Sequence, residues 1–258
     1  MEDQLRFLRG LEPRNAGQAS YAAILKAAAG LFQQFPADAI TLRDILTLSG
    51  VSNQTLYNYF PAGRDDVALV LFDHFQRDVV TAFNHSNRAI DWETLPDPAA
   101  ITRVLSASLA RAAIGNLKEN LRLQATVFEY LKAHHLDSSA APTQGLEEAL
   151  GQEILLRYGS RFSRPELPKV VRLSVRVLRD IAEVAMTHPE FPLEGLESKA
   201  RKLLRPLLQS GVKGEGPISG NHESLPDIPV PMAIVGAPIS PARRQTILAR
   251  ILKRKAKP

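Results

Sequence analysis

The sequence predicts an all-α protein, and three observations carry that prediction. Apolar residues recur at three- and four-residue spacing through most of residues 18–210, prolines divide that pattern into helix-sized lengths, and no run of alternating apolar and polar residues interrupts it. Apolar side chains make up 45% of the 258 residues, enough to bury a sizeable core and to exclude wholesale disorder. There is no cysteine, which excludes a disulfide scaffold, a thiol nucleophile and a Cys-ligated zinc site.

Residues 1–17 read as an N-terminal extension. Met1-Glu2-Asp3-Gln4 opens acidic with no apolar stretch behind it, so no secretory signal is expected and a cytoplasmic protein is the default. A first helix follows from about residue 18, with Ile24, Leu25, Ala28, Leu31 and Phe32 on one face, and Pro36 ends it. After Gly63 a long helix is marked by Val67, Val70, Leu71, Phe75, Val79 and Phe83. Further helices are predicted over about 98–115, 117–135, 143–159, 166–187 and 194–209, with breaks at Pro96/Pro98, Pro142, Pro165/Pro168 and Pro189/Pro192. Residues 211–240 lose periodicity and gain glycine and proline, as a linker does. Ser240-Pro241 then resembles a helix start, and Ile247, Leu248, Ile251 and Leu252 among basic residues predict a short basic amphipathic helix. The expected domains are 18–63, 64–210 and the tail 211–258.

The net charge of +5 is unevenly placed. Residues 1–210 carry 24 basic and 24 acidic side chains, whereas residues 211–258 carry eight basic and three acidic. The basic character therefore belongs to the tail and does not by itself argue for nucleic-acid binding by the body.

The informative segment is 41–60, TLRDILTLSGVSNQTLYNYF. Thr41 with Asp44 three residues on is a capping-box start, Ile45 and Leu46 give a short helix an apolar side, and Gly50 suits a sharp turn. Val51 plugs the turn, Ser52 caps a second short helix, and Leu56 turns inward from it. Two short helices joined by a tight Gly-containing turn make a helix-turn-helix, whose second helix would enter a major groove. Its outward residues are Ser52, Asn53, Gln54, Thr55, Tyr57 and Asn58. Asn53 and Gln54 have amides suited to an adenine edge, and the hydroxyls of Tyr57 and Tyr59 suit phosphates. Arg64, at the start of the next helix, suits a phosphate held there, while Phe60 reads as core.

Residues from about 20 to 72 resemble the DNA-binding domain of the TetR family of transcriptional repressors. The matching pieces are Ile24-Leu25-x-Ala27-Ala28-x-x-Leu31-Phe32, Thr41-Leu42-Arg43-Asp44-Ile45, Gly50-Val51-Ser52 and Thr55-Leu56-Tyr57-Asn58-Tyr59-Phe60. The chain departs from the family pattern in having Phe35-Pro36 where a glycine is usual, Gln54 where glycine is common, and Pro61-Ala62-Gly63-Arg64 in place of a shorter segment with a lysine. The resemblance implies DNA contacts from Thr41, Arg43 and the residues above, with Arg64 replacing the lysine. It also implies a homodimer on a palindromic operator, a helical C-terminal domain that holds a small-molecule effector, and release of the repressor when the effector binds. Pocket candidates are Phe72, Phe75, Phe128, Tyr130, Leu131 and Met186. Dimer contacts would come from the last two helices, through Val170, Val177, Leu178, Ile181, Leu196, Ala200, Leu203, Leu204 and Leu207, although such faces serve equally well as monomer core.

No cofactor or metal is expected. His134 and His135 are adjacent on a helix and point in different directions, so placement near a helix C-terminus explains them better than an ion does. His74 reads as core or surface, and Trp92 as a packing anchor in a polar loop. The chain has no nucleotide-binding, zincin or nucleophile-elbow motif, so no enzyme is predicted. The tail admits three readings: a solvated extension, an arm on DNA phosphates, or a helix docked on the body or an anionic surface. The last makes a membrane-associated or scaffold interaction protein the alternative function.

Overall fold

The computed structural model describes residues 2–13, 17–88, 90, 97–136, 141–158, 162–163, 165–188 and 190–212. Trp92 and the predicted basic helix near the C-terminus lie outside these residues. The fold is all-α. Among the described residues there is no strand, only an isolated bridge between Phe162 and Val212.

The chain divides into two compact units. The first contains α1 (Glu2–Leu11), α2 (Gln18–Gln34), a 3-10 turn at Ala37–Ala39, α3 (Leu42–Ser49) and α4 (Asn53–Tyr59). It also takes in α5 (Arg64–Arg88) as far as His74, and α6 (Pro98–Ala133) from Arg122 onward. α3 and α4 pack on α2. Ile24, Leu31, Phe32, Ile45, Leu56 and Phe60 are fully buried. Phe35 ends α2 by donating its N–H to Leu31 O at 2.9 Å, and Pro36 continues in extended backbone. The stretch read as an extension contains α1, which buries Leu8 and pairs Arg9 with the buried Asp73 of α5.

The second unit contains α5 from Phe75, α6 through Leu121, α7 (Ala141–Tyr158), α8 (Leu167–Thr187) and α9 (Leu196–Ser210). α8 packs on both α7 and α9. The core joins Phe83, Leu105, Leu109, Ile154, Phe162, Val171 and Leu204. Where α9 ends, Gly211 O accepts from the Ser163 N–H at 2.8 Å, and a Cβ at Gly211 would lie 2.9 Å from Val170 Cγ2. The missing side chain permits that close approach.

Two boundaries differ from the sequence prediction. The helices expected over 98–115 and 117–135 are one helix, α6, with a local irregularity at Asn120 (φ −122°, ψ 16°). Asn120 Nδ2 donates to Asn116 O at 3.2 Å, so a side-chain amide engages the backbone ladder there and the helix bends instead of ending. The division at residue 63 is also displaced. The first turns of α5 and the last turns of α6 belong to the helix-turn-helix unit, because their buried side chains complete its core.

Candidate nucleic-acid interface

The helix-turn-helix is built by local chemistry. Thr41 Oγ1 accepts from the Asp44 N–H at 3.3 Å, and an Asp44 carboxylate oxygen accepts from the Thr41 N–H at 3.1 Å and the Thr41 hydroxyl at 2.5 Å. This reciprocal box fixes the start of α3. Gly50 closes α3 at φ +72°, a left-handed conformation that costs a side-chain-bearing residue roughly 1–2 kcal/mol. Ser52 then caps α4: its Oγ accepts from the Thr55 N–H at 3.1 Å and lies 2.8 Å from the Thr55 hydroxyl.

On α4 the side chains sort by facing. Leu56 is buried; Asn53, Gln54, Tyr57 and Asn58 are exposed, and Thr55 is half-buried. Gln54 Nε2 donates to Asn58 Oδ1 at 3.0 Å, linking two amides one turn apart. Ser52 is exposed too, although its oxygen serves the cap, and Arg43 on α3 is exposed. Thr41 has its hydroxyl committed to Asp44. The surface these residues form carries hydroxyls, amides and a guanidinium, and it is free of acidic side chains on α4.

Two predicted contacts turn inward. Tyr59 packs edge-on against Tyr21, with ring centroids 5.6 Å apart, and its hydroxyl sits against Gly17, where a Cβ would come within 2.2 Å of it. Arg64 donates from Nε to the Tyr130 hydroxyl at 2.8 Å and from Nη1 to Ile40 O, with its guanidinium 4.5 Å from the Tyr130 ring centre. Two of its five donors are thus engaged within the unit, so Arg64 braces α5 against Ile40 and Tyr130. The first turn of α5 is also occupied: Asp66 accepts from the Ala62 N–H at 2.6 Å, and Asp65 accepts from the Tyr130 hydroxyl.

Tyr130, a pocket candidate, is tied to Arg64 and Asp65. It is fully buried in the first unit, and burial with the Asp65 hydrogen bond pushes its hydroxyl up to about 12, so it stays a donor at any neutral pH. Leu131 is buried in the same unit, which also holds Phe72 and Phe128, while Phe75 and Met186 belong to the second unit. The six are therefore not brought together in one unit. His134 stacks on the Tyr130 ring with centroids 4.0 Å apart, and His135 ends the helix at φ 54°, so each is accounted for by the helix terminus.

The dimer candidates divide as well. Val170, Leu178, Leu196, Ala200 and Leu204 are buried in the second unit's own core. Val177 and Ile181 are partly covered, Leu207 is half-buried, and Leu203 is 52% exposed. Leu173 and Val184, which the sequence reading did not name, are also exposed, at 46% and 40%. Their signal was available, since Leu173, Val177, Ile181 and Val184 recur at helical spacing along one flank of α8.

The fold and this surface define a helix-turn-helix module with an appended helical unit. Residues 24–69 match the model of the family described as bacterial regulatory proteins, tetR family. The match spans the helix-turn-helix and the first turns of α5. The fold is shared with a TetR transcriptional regulator from Rhodococcus sp. RHA1, at a TM-score of 0.54 and 17% identity, over 75% of this chain and 98% of that one. It is also shared with a Rhodococcus sp. protein provisionally assigned as a TetR-family transcriptional regulator, at 0.50 and 16%, over 74% and 99%. No curated protein matches the sequence.

Proposed function

We propose that this protein is a sequence-specific DNA-binding transcriptional regulator, a homodimeric repressor released from a palindromic operator by a small molecule. The observation that carries the reading is the exposed polar face of α4, held by a capped and glycine-turned helix pair within the segment that matches the TetR family model. Asn53, Gln54, Tyr57 and Asn58 meet the bases and phosphates, and Arg43 contacts the backbone from α3. The dimer forms through the exposed apolar flank of α8 and α9, where Leu173, Val184 and Leu203 gain cover.

The effector binds the second unit. Gln76, Asp78 and Asn84 on α5, Ser108 on α6, Ser174 on α8 and Arg205 on α9 each hold a buried polar side-chain atom without a hydrogen-bond partner. All six lie in that unit. Buried polar groups are ordinarily satisfied, and leaving one unmet costs about 1–3 kcal/mol. A small molecule whose hydrogen-bonding groups reach such atoms would offset that cost.

The test is selection of bound duplexes from a random DNA pool by the full-length protein at near-physiological salt. The expected result is an inverted-repeat motif. No enriched motif from a folded dimer would overturn the reading.

A further inference from the structure

Given the DNA-binding reading above, the shape of α4 decides which of its atoms read sequence. Helical geometry ranks the exposed side chains. At about 100° per residue, Gln54 and Asn58 bracket the direction opposite the buried Leu56, one on each side of it. Asn53 and Tyr57 lie on one shoulder of the helix and Thr55 on the other. The pair at the crest projects farthest from the body, whereas shoulder residues face groove walls and phosphates.

The crest pair is already joined. Gln54 Nε2 donates to Asn58 Oδ1 at 3.0 Å, and both side chains are exposed. That bond uses one donor and one acceptor and leaves Gln54 Oε1 as an acceptor and Asn58 Nδ2 as a donor. Reversing both amides exchanges the roles, yet the pair still presents one acceptor beside one donor. The pattern is independent of how the amides are turned. No carboxylate or cation shares α4 with it.

We propose that Gln54 and Asn58 act as one unit that reads a single adenine edge in each half-site. Adenine offers an N6–H donor beside the N7 acceptor in the major groove, which complements an acceptor beside a donor. Guanine offers two acceptors there, so one end of the pair would face a group it cannot bond. Asn58 is thereby a specificity residue equal to Gln54, and Asn53 is not.

The experiment uses the full-length protein and its selected duplex. Each half-site should contain one A·T position that loses its preference in Gln54→Ala, in Asn58→Ala and, to no greater extent, in the double variant. Asn53→Ala should leave that position unchanged. Replacing that adenine by 7-deazaadenine removes N7 while keeping the base pair. It should weaken wild-type binding by about tenfold and leave the affinity of the double variant unaltered. All three substitutions are at exposed positions, and unchanged helical circular dichroism confirms folding. A motif whose sensitive position is G·C, or one that responds to Asn53→Ala but to neither member of the pair, overturns this proposal and leaves the DNA-binding reading standing. A wild-type protein with no sequence preference overturns both.

Discussion

At Arg64 the charge faces inward, and its removal should register as lost stability. The guanidinium serves Ile40 O and the Tyr130 hydroxyl, and hydrogen bonds to charged groups contribute about 1.5–3 kcal/mol each in measured series. Arg64→Ala is expected to lower unfolding free energy by about 1–3 kcal/mol in urea titration. Once folded, it should change DNA affinity less than Arg43→Ala does. Asp78 gives a second prediction at this scale. Its Oδ2 is buried without a partner, and burial raises its pKa from 3.8 to about 6 against the opposing charge of Arg77. Below about pH 3 the group is protonated in both the folded and the unfolded chain and contributes nothing. As pH rises toward 6 the unfolded chain ionises first, so stability falls through that window. Asp78→Asn removes the fall. Asp78 is only partly buried and solvent screens it, so the wild-type and Asp78→Asn curves should diverge by about 1 kcal/mol between pH 3.5 and pH 7.5.

At the scale of elements, the α3–α4 turn depends on one backbone conformation. Gly50 sits at φ +72° with no atom within 4 Å of where a Cβ would be. The cost of Gly50→Ala is therefore conformational strain alone, about 1–2 kcal/mol, and Gly50→Asn should cost less because asparagine tolerates the left-handed region. Thermal denaturation of the two variants checks the order. An equal loss for both would point to a packing role that the surroundings of Gly50 do not show. This hairpin of helices was legible in the sequence because its determinants are neighbours: Thr41 with Asp44, Gly50, and Ser52 with Thr55. The course of α6 was less legible. Separate helices are expected over 98–115 and 117–135, but the chain stays helical between them and bends at Asn120, where the side chain bonds to Asn116 O.

For the whole molecule, the exposed apolar flank of α8 and α9 makes assembly testable. Leu203→Glu and Leu173→Glu place charge where the proposed dimer buries surface. Both should shift the protein to monomer in sedimentation velocity and reduce operator affinity at least tenfold, while leaving the monomer folded. Retained dimerisation in both variants would place the interface elsewhere. Of the nine residues named for this role from sequence, five went into the protomer core because apolar periodicity measures burial and not what does the burying. Exposure after folding separated Leu203 from Leu204, adjacent leucines with opposite fates.

The sequence by itself determined the all-α class, the caps and turn of the helix-turn-helix, and which residues of α4 could face outward. These depend on spacing and on interactions within about four residues. Only the tertiary structure decided that Arg64 and Tyr59 turn inward, that Tyr130 completes the core of the DNA-binding unit, and that α6 contributes to both units. Arg64 meets Tyr130 across 66 positions of chain, and Tyr59 meets Tyr21 across 38. A side chain whose partner lies that far along the sequence takes its direction from packing, and packing leaves no local pattern to read.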